Sequence, residues 1–363
     1  MPQTNTTVGR PRRHLLKGIS DTNLLMSITI IVFILMYLYA IFGLGQGFLK
    51  AQTFFNMLNA YASLIILACG MTLVMITGGI DISVGGMTAL ISMCSAVYLD
   101  RHSGSVFGAV MISLGIGLAF GLVQGFLVAY LDIQPFIVTL AGMFFARGMT
   151  TIVNTNPFNV QNEAFVKLKE TRIIVPGMGS VNKKGIYIDA YIEIGVVIAL
   201  ITVAALFLFL KWTKTGRSFY AVGGNKQSAL MLGINVKRTT FLAYLMCGIL
   251  GGIGGFVYFM HVGSGSASHA IGDEMNAIAS SIIGGTMLTG GVGNIIGTLF
   301  GVLSLALIKN IVSSVGLTDA WWTGITNASM LCIFLILQSV IIARRKKANL
   351  SAVKSVETKG VKK

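Results

Sequence analysis

Residues 60–93 read AYASLIILACGMTLVMITGGIDISVGGMTALISM, and two apolar runs in this stretch flank a short segment of glycines with one acid. The run before the glycines is long enough to cross a bilayer, which takes about 20 residues, and the run after them is slightly shorter. A helix broken at membrane depth leaves backbone groups that need partners in protein or water. The stretch therefore predicts an integral membrane protein whose helices are interrupted at a specific place.

The composition of the whole chain supports this interpretation. Of the 363 residues, 54% are hydrophobic and 11% are charged, and the mean hydropathy is +0.80. Soluble domains carry about 25% charged residues, so this chain has too few charges to cover a water-exposed surface. The 44 glycines, against 5 prolines, are typical of membrane helices that pack closely through small residues.

Ten apolar runs qualify or nearly qualify as membrane helices. They cover residues 24–44, 56–77, 84–99, 106–130, 135–153, 190–211, 239–262, 275–290, 293–314 and 320–343. The third and eighth runs are short, which leaves eight crossings with two partial ones as an alternative. We predict an all-α integral membrane protein, a polytopic helical bundle of about 10 transmembrane helices.

The basic residues predict the orientation of these helices. They cluster in an N-terminal arm (1–23), in the loop after the sixth run (212–238) and in a C-terminal tail (344–363). Cytoplasmic loops are rich in Lys and Arg, so we expect both termini and the loop inside, and the segment 154–189 outside as an ordered platform. This placement explains the net charge of +15 without a nucleic-acid partner. The membrane domain then spans residues 24–343.

Glycines repeat every four residues on several runs, as packing stripes do. The rows are Gly117, Gly121 and Gly125; Gly293, Gly297 and Gly301; Gly248 and Gly252; and Gly251 and Gly255. A second pattern suggests a parallel duplication, because the glycines at 78, 79 and 85 recur at 284, 285 and 291, an offset of 206.

The first glycine segment, residues 77–86, is the strongest candidate for a gate or pathway. Its candidate residues are Gly78, Gly79, Asp81 and Ser83. An acid at membrane depth is costly and often functional. Asp81 has three interpretations: a cap for the helix that begins near Ser83, a gating or pathway group, or an ion-coupling site.

The second glycine segment, residues 283–294, has no charge. Its candidate gating or pathway residues are Gly284, Gly285, Thr286, Gly290 and Gly291. It is not a Walker A phosphate loop, because no strand precedes it and the chain has no Gly-Lys dipeptide. If ATP drives transport, another polypeptide must hydrolyse it, and we expect no cofactor on this chain.

Polar residues near the two breaks are candidate pathway groups: Asn59, Ser63, Thr72, Thr77, Ser280, Ser281 and Thr286. Arg147 is the one basic residue deep in an apolar run, with either a structural or a pathway role. Lys309, nearer the end of its run, is expected to snorkel. The spacing of the acids, histidines and cysteines predicts neither a catalytic set nor a metal site.

Residues 225–233 in the basic loop predict a short amphipathic helix that ends at Gly233, a natural helix stop. A helix lying on lipid is one interpretation. Docking of a cytoplasmic partner is the other.

Three ordered features resemble the permease subunits of bacterial monosaccharide ABC importers of the ribose-type class. They are the glycine-acid segment at 77–86, the glycine loop at 283–294, and Ala221-Val222-Gly223-Gly224-Asn225 followed by Gly233-Ile234. The resemblance covers roughly residues 24–343. Within the class, residues 139–145 and 320–324 look most like a permease of a galactofuranose importer.

The resemblance implies a permease in the bacterial plasma or inner membrane, paired with a second permease copy or a homologous one. An ABC ATPase would bind on the cytoplasmic side, and an extracytoplasmic solute-binding protein would bind residues 154–189 and 263–274. The ATPase-coupling residues would be Gly224, Asn225, Ala229, Gly233 and Ile234. The loop departs from the glutamate-alanine-alanine form of many importers and keeps only Ala229 and Gly233 at suitable spacing.

Two functions follow, and neither makes the chain an enzyme. The first is passage of a monosaccharide, a pentose or a hexose such as galactofuranose, driven by a separate ATPase. The alternative is a secondary transporter coupled to protons or sodium through Asp81.

Overall fold

A computed structural model describes residues 21–181, 187–317, 319, 321–322, 324–336 and 339–340. Residues 1–20 of the basic arm predicted at 1–23, and the whole tail at 344–363, lie outside the described residues. The described residues are predominantly helical, as predicted. The helices are α1 Asp21–Leu44, α2 Ala51–Ile76, α3 Ser83–Arg101, α4 Val106–Ala129, α5 Pro135–Val153, α6 Glu163–Glu170, α7 Ile194–Trp212, α8 Lys214–Gly224, α9 Lys226–Met231, α10 Val236–Val262, α11 Asp273–Ile283 and α12 Ile295–Ser314.

Eight described helices are long and apolar enough to cross a membrane: α1, α2, α3, α4, α5, α7, α10 and α12. The third predicted run is a full helix of 19 residues. The eighth is not, because α11 ends after 11 residues and an irregular segment continues to Asn294. The tenth run is described only in part, and it contains a shorter apolar helix at Gly324–Ile336.

Helix α2 lies at the centre of the bundle and packs against α7, α10, α11 and α12. Its side chains are buried almost continuously from Ala62 to Ile76. In contrast, only 22% of the apolar stretch of α1, of α4 and of α5 is buried, and the rest is partly or fully exposed. Such faces suit lipid or another membrane subunit.

The predicted glycine rows are helix contacts. A Cβ atom at Gly117 would lie 2.8 Å from Gly252 Cα, and one at Gly121 would lie 3.0 Å from Leu245 Cα, so α4 and α10 pack backbone to backbone. On the other faces of α10, Gly251 and Gly255 receive Met87 and Ile91 of α3. Small residues thus fix the position of α10 against two neighbours.

The segment between α5 and α7 is folded. It contains α6 and an antiparallel hairpin of strands β2 Arg172–Val181 and β3 Tyr187–Glu193. A short strand β1 Phe158–Asn159 pairs with β4 Ser264–Gly265, which follows α10. The placement of residues 154–189 outside the cell stays a prediction.

Candidate functional site

The first break begins where α2 ends. Gly78 has φ +86°, and its N–H donates to Met75 O at 2.9 Å, while Gly79 N–H donates to Val74 O at 3.1 Å. This is the paired bonding of a glycine helix cap, which satisfies the last carbonyls of the helix. The break therefore leaves few free backbone groups at the end of α2.

The Asp81 side chain bonds the start of α3 from the residue before Ile82, the N-cap of that helix. Its Oδ1 accepts hydrogen bonds from Ser83 N at 3.0 Å and Ser83 Oγ at 2.6 Å, and its side chain is buried. Ser83 Oγ also lies 3.3 Å from Gln124 Oε1 of α4. Of the three interpretations of Asp81, a structural role at the start of α3 explains both hydrogen bonds of its Oδ1.

The second break repeats this construction. Gly285 has φ +92° and its N–H donates to Ile282 O, and Thr286 N–H donates to Ser281 O, both at 2.9 Å. The helix that follows each break begins in a similar way. Asn294 Oδ1 accepts a hydrogen bond from Ile296 N at 2.8 Å, and Asp81 Oδ1 accepts one from Ser83 N, in both cases two residues further along the chain. The two left-handed glycines, Gly78 and Gly285, lie 207 residues apart, whereas the glycine pattern in the sequence predicts a spacing of 206.

The two breaks touch each other and the end of α8. Gly291 N–H donates to Ile76 O at 2.8 Å. A Cβ atom at Gly290 would lie 2.9 Å from both Gly223 O and Gly78 N, and Gly223 itself packs on Ile76 O. We call these contacts among residues 76–79, 223–224 and 289–291 the glycine junction. A Cβ atom at Gly223, Gly290 or Gly291 would collide with backbone atoms of the junction, which explains these three glycines.

A buried cluster of hydroxyl groups joins α2, α11 and α12 close to the two breaks. Thr72 Oγ1 of α2 lies 3.0 Å from Ser281 Oγ of α11 and 2.7 Å from Thr298 Oγ1 of α12. Each of these hydroxyls is fully buried. Hydroxyls in such positions join helices inside a membrane.

The other predicted pathway hydroxyls and amides are also used in packing. Asn59 Oδ1 accepts from Glu193 N at 2.9 Å, while Ser63 donates to Gly254 O at 2.8 Å. Ser280 and Thr77 donate to carbonyls of their own helices. Thr286 is the exception, because its buried Oγ1 has no hydrogen-bond partner among the described residues.

The predicted helix in the basic loop is present as α9, Lys226–Met231. Asn225 Oδ1 accepts from Ser228 N at 2.8 Å and starts the helix. Gly233, at φ +77°, ends it, and Ile234 N–H donates to Ala229 O at 3.0 Å. Ala229 is buried, whereas the exposed fractions of Leu230, Met231 and Leu232 are 58%, 87% and 77%. The helix thus presents an apolar tip away from the bundle.

Arg147 of α5 has a structural role. Its guanidinium donates to the carbonyls of Ala267 at 3.1 Å, of His269 and of Ala270 at 3.0 Å. These bonds hold residues 266–270 against the middle of α3, where Ser92 Oγ lies 3.0 Å from His269 Nδ1. Burial, and then the nearby Arg147 charge, lower the pKa of His269, which favours the neutral ring.

The sequence analysis named residues 263–274 only as a contact of the solute-binding protein and did not predict that they pack against α3 and α5. Glu274, in the first turn of α11, is buried against Gly85, and its Oε2 has no hydrogen-bond partner among the described residues. The adjacent acids Asp273 and Glu274, which precede the apolar run at 275–290, are a sequence signal for the start of α11, since acids favour helix N-termini. Among the described residues, no group of three or more His, Cys, Asp or Glu side chains could hold a metal ion.

Similarity to known proteins is consistent along the chain. A family model described as "branched-chain amino acid transport system / permease component" matches residues 53–336. The inner membrane ABC transporter permease protein YjfF of Escherichia coli (strain K12) is 37% identical over 316 residues, 87% of this chain and 92% of that protein. No solved structure matches the chain.

Two further relatives are named for the sugars that they import. The fructose import permease FruG of Bifidobacterium longum (strain NCC 2705) is 35% identical, covering 86% of this chain and 90% of its own length. The ribose import permease RbsC of Escherichia coli (strain K12) is 32% identical, covering 84% and 89%. These similarities confirm the resemblance to the ribose-type class. The chain belongs to the family of ABC importer permease components, multi-pass inner-membrane proteins that work with an ATPase and a solute-binding protein.

Proposed function

We propose that this permease provides the passage for a monosaccharide and that a separate ABC ATPase drives it through α9. The observation that carries this proposal is the apolar tip of α9, which is exposed although the helix is firmly capped at both ends. An exposed apolar surface on a rigid element is typical of a protein contact. The names of the fructose and ribose permeases support a sugar as the solute.

The coupling residues have separate tasks in this proposal. Asn225 and Gly233 fix the two ends of α9, and buried Ala229 anchors it to the bundle. Ile234 completes the C-terminal cap through its bond to Ala229. Gly224 lies in the glycine junction, so a movement of α9 is passed to residues next to both breaks.

The breaks are the moving parts. Gly284, Gly290 and Gly291 permit close backbone contacts, Gly78 and Gly285 adopt left-handed φ values, and Gly79 leaves room for the Tyr244 side chain. Asp81, Ser83 and Thr286 belong to the same two segments. Closure of the ATPase would shift α9 and the junction, and the helix pairs α2–α3 and α11–α12 would swing. The solute would then pass between this chain and a second permease, identical or homologous.

The solute-binding protein would dock on residues 154–189 and 263–274 outside. Galactofuranose is one candidate solute, from the likeness of residues 139–145 and 320–324 to such a permease. Residues 320 and 323 lie outside the described residues.

The test is uptake by vesicles that contain the permease with its ATPase and the solute-binding protein. We expect uptake of a labelled pentose or hexose only when ATP is supplied to the ATPase. An Asp81→Asn variant keeps the capping oxygen and should keep ATP-driven uptake. Uptake driven by a proton or sodium gradient without ATP, and lost in Asp81→Asn, would instead establish the ion-coupled alternative.

A further inference from the structure

A groove of about 940 Å³ opens beside α9 on the face that carries the basic loop. One wall is formed by α9 and the start of α10, including Leu230 and Lys237. The opposite wall is the turn between α4 and α5, including Asp132 and Ile133. Its volume is at the upper end of the range of protein binding pockets.

The turn opposite α9 resembles the tip of α9 in its exposure. Ile133 lines the groove and has an exposed fraction of 37%, whereas Leu131, at 54%, is exposed but does not line it. Asp132 between them has φ +54°, a conformation that non-glycine residues adopt rarely, so the turn is sharply bent. Basic residues of the loop 212–238 surround this face, which indicates the cytoplasmic side. Apolar side chains on both walls therefore suit a protein partner.

The floor of the groove is the first break. Thr77, Gly78 and Gly79 line it together with Tyr244, whose Oη donates to Ile80 O at 3.2 Å. A segment seated in the groove would therefore contact α9 on one side and the end of α2 below. It would act on the break directly, in addition to any pull through the glycine junction.

The charge of the lining favours one kind of occupant. Lys226 and Lys237 line the groove against the single acid Asp132, and Arg238 is exposed next to Lys237. Opposite charges across a contact steer and select partners. We infer that the groove between α9 and the α4–α5 turn binds a segment of the ATPase subunit that carries an apolar side chain flanked by acids. This inference rests on the proposed function, and it adds Asp132, Ile133 and Gln134 of the α4–α5 turn, which line the groove, as a second docking element.

The first experiment compares two substitutions in the same turn. Ile133→Asp places a negative charge inside the groove, whereas Leu131→Asp places it on a residue that is more exposed and does not line the groove. In the reconstituted importer, we expect Ile133→Asp to weaken binding of the ATPase about tenfold, as loss of a well-packed contact does. Leu131→Asp should bind as the wild type does. Equal binding by both variants, at matched yield and melting temperature, would overturn the inference.

A photocrosslinking amino acid at position 133 identifies the occupant in the assembled complex. We expect a crosslink to the ATPase that is absent when the same group stands at position 131. A crosslink only to lipid or to the second permease would contradict the inference. Met231→Asp, at the tip of α9 and outside the groove lining, separates the two proposals: if it abolishes ATPase binding and Ile133→Asp does not, α9 docks alone.

Discussion

The two glycine breaks are built alike at their ends and differently in between. Both follow a helix that ends with a left-handed glycine, Gly78 or Gly285, and both precede a helix capped by a side-chain oxygen, of Asp81 or Asn294. The first break is short and carries a charge. The second spans residues 284–294, is uncharged and reaches down to the end of α8. The similar ends fit the duplication that the glycine pattern predicts, and the longer second loop supplies the contact that joins the two breaks.

The largest effect is expected where the two breaks meet. A Cβ atom at Gly223 would overlap Ile76 O and lie 2.5 Å from Gly291 N, so Gly223→Ala should separate the two breaks. We expect a large loss of folded protein in detergent extracts, because backbone atoms have nowhere to move. Gly224→Ala is the matched control for stability, since nothing lies within 4 Å of its Cβ position. Equal melting temperatures for both variants would contradict the junction.

The second prediction compares the equivalent glycines of the two breaks. Alanine at Gly78 or Gly285 incurs about 1–2 kcal/mol of left-handed backbone strain. At Gly285 the new methyl group would also lie 2.8 Å from Leu25 Cβ of α1, whereas at Gly78 the nearest atom is Thr289 O at 3.8 Å. Gly285→Ala should therefore lower the melting temperature more than Gly78→Ala. The reverse order would mean that α1 does not seal the second break.

The third prediction concerns the two caps. Asp81→Ala and Asn294→Ala should each destabilise the protein by about 1 kcal/mol, because each removes the oxygen that binds the N–H two residues on. Asp81→Asn should stay close to the wild type in thermal unfolding. If Asp81→Asn is as damaging as Asp81→Ala, the charge at position 81 matters beyond the cap.

The smallest effect is expected at the polar cluster between the breaks. Thr72→Val removes the hydroxyl that bonds Ser281 and Thr298, and interhelical bonds of this kind are worth about 0.6 kcal/mol on average. Thr88→Val is the control, because Thr88 donates only to Val84 O of its own helix. Thermal unfolding of the two variants should differ slightly, with Thr72→Val the less stable. No difference would make the cluster irrelevant to how the breaks are held.

Much of this architecture was predictable from the sequence because membrane spans, helix stops and glycine rows depend on local composition. The apolar runs, the helix bounded by Asn225 and Gly233, and the packing role of Gly117 and Gly251 are of this kind. The length of α11 was not predictable, since the apolar run continues past Ile283 while the backbone turns. The glycine spacing in the sequence also pairs the two breaks at 206 residues, whereas the left-handed glycines Gly78 and Gly285 lie 207 residues apart.

The long-range contacts were beyond sequence reasoning. Nothing in the spacing of residues 76, 223 and 291 shows that they meet. Arg147 was singled out, but its three carbonyl partners lie about 120 residues away in the chain, and the segment that it holds resembles an ordinary loop in sequence. Pairings of this kind depend on how the helices cross, which a single sequence does not encode locally.

The central claim is that α9 transmits the work of an ATPase to the two breaks, and Gly233→Val tests it most directly. Valine does not tolerate the φ of +77° at Gly233, so the end of α9 must rearrange although its surroundings are open. Gly115→Val in α4, also with open space at its Cβ position, is the control. The measurement is ATP-driven uptake in vesicles with matched amounts of inserted permease. We predict loss of uptake in Gly233→Val with normal insertion and near wild-type uptake in Gly115→Val; wild-type uptake in Gly233→Val would contradict the account.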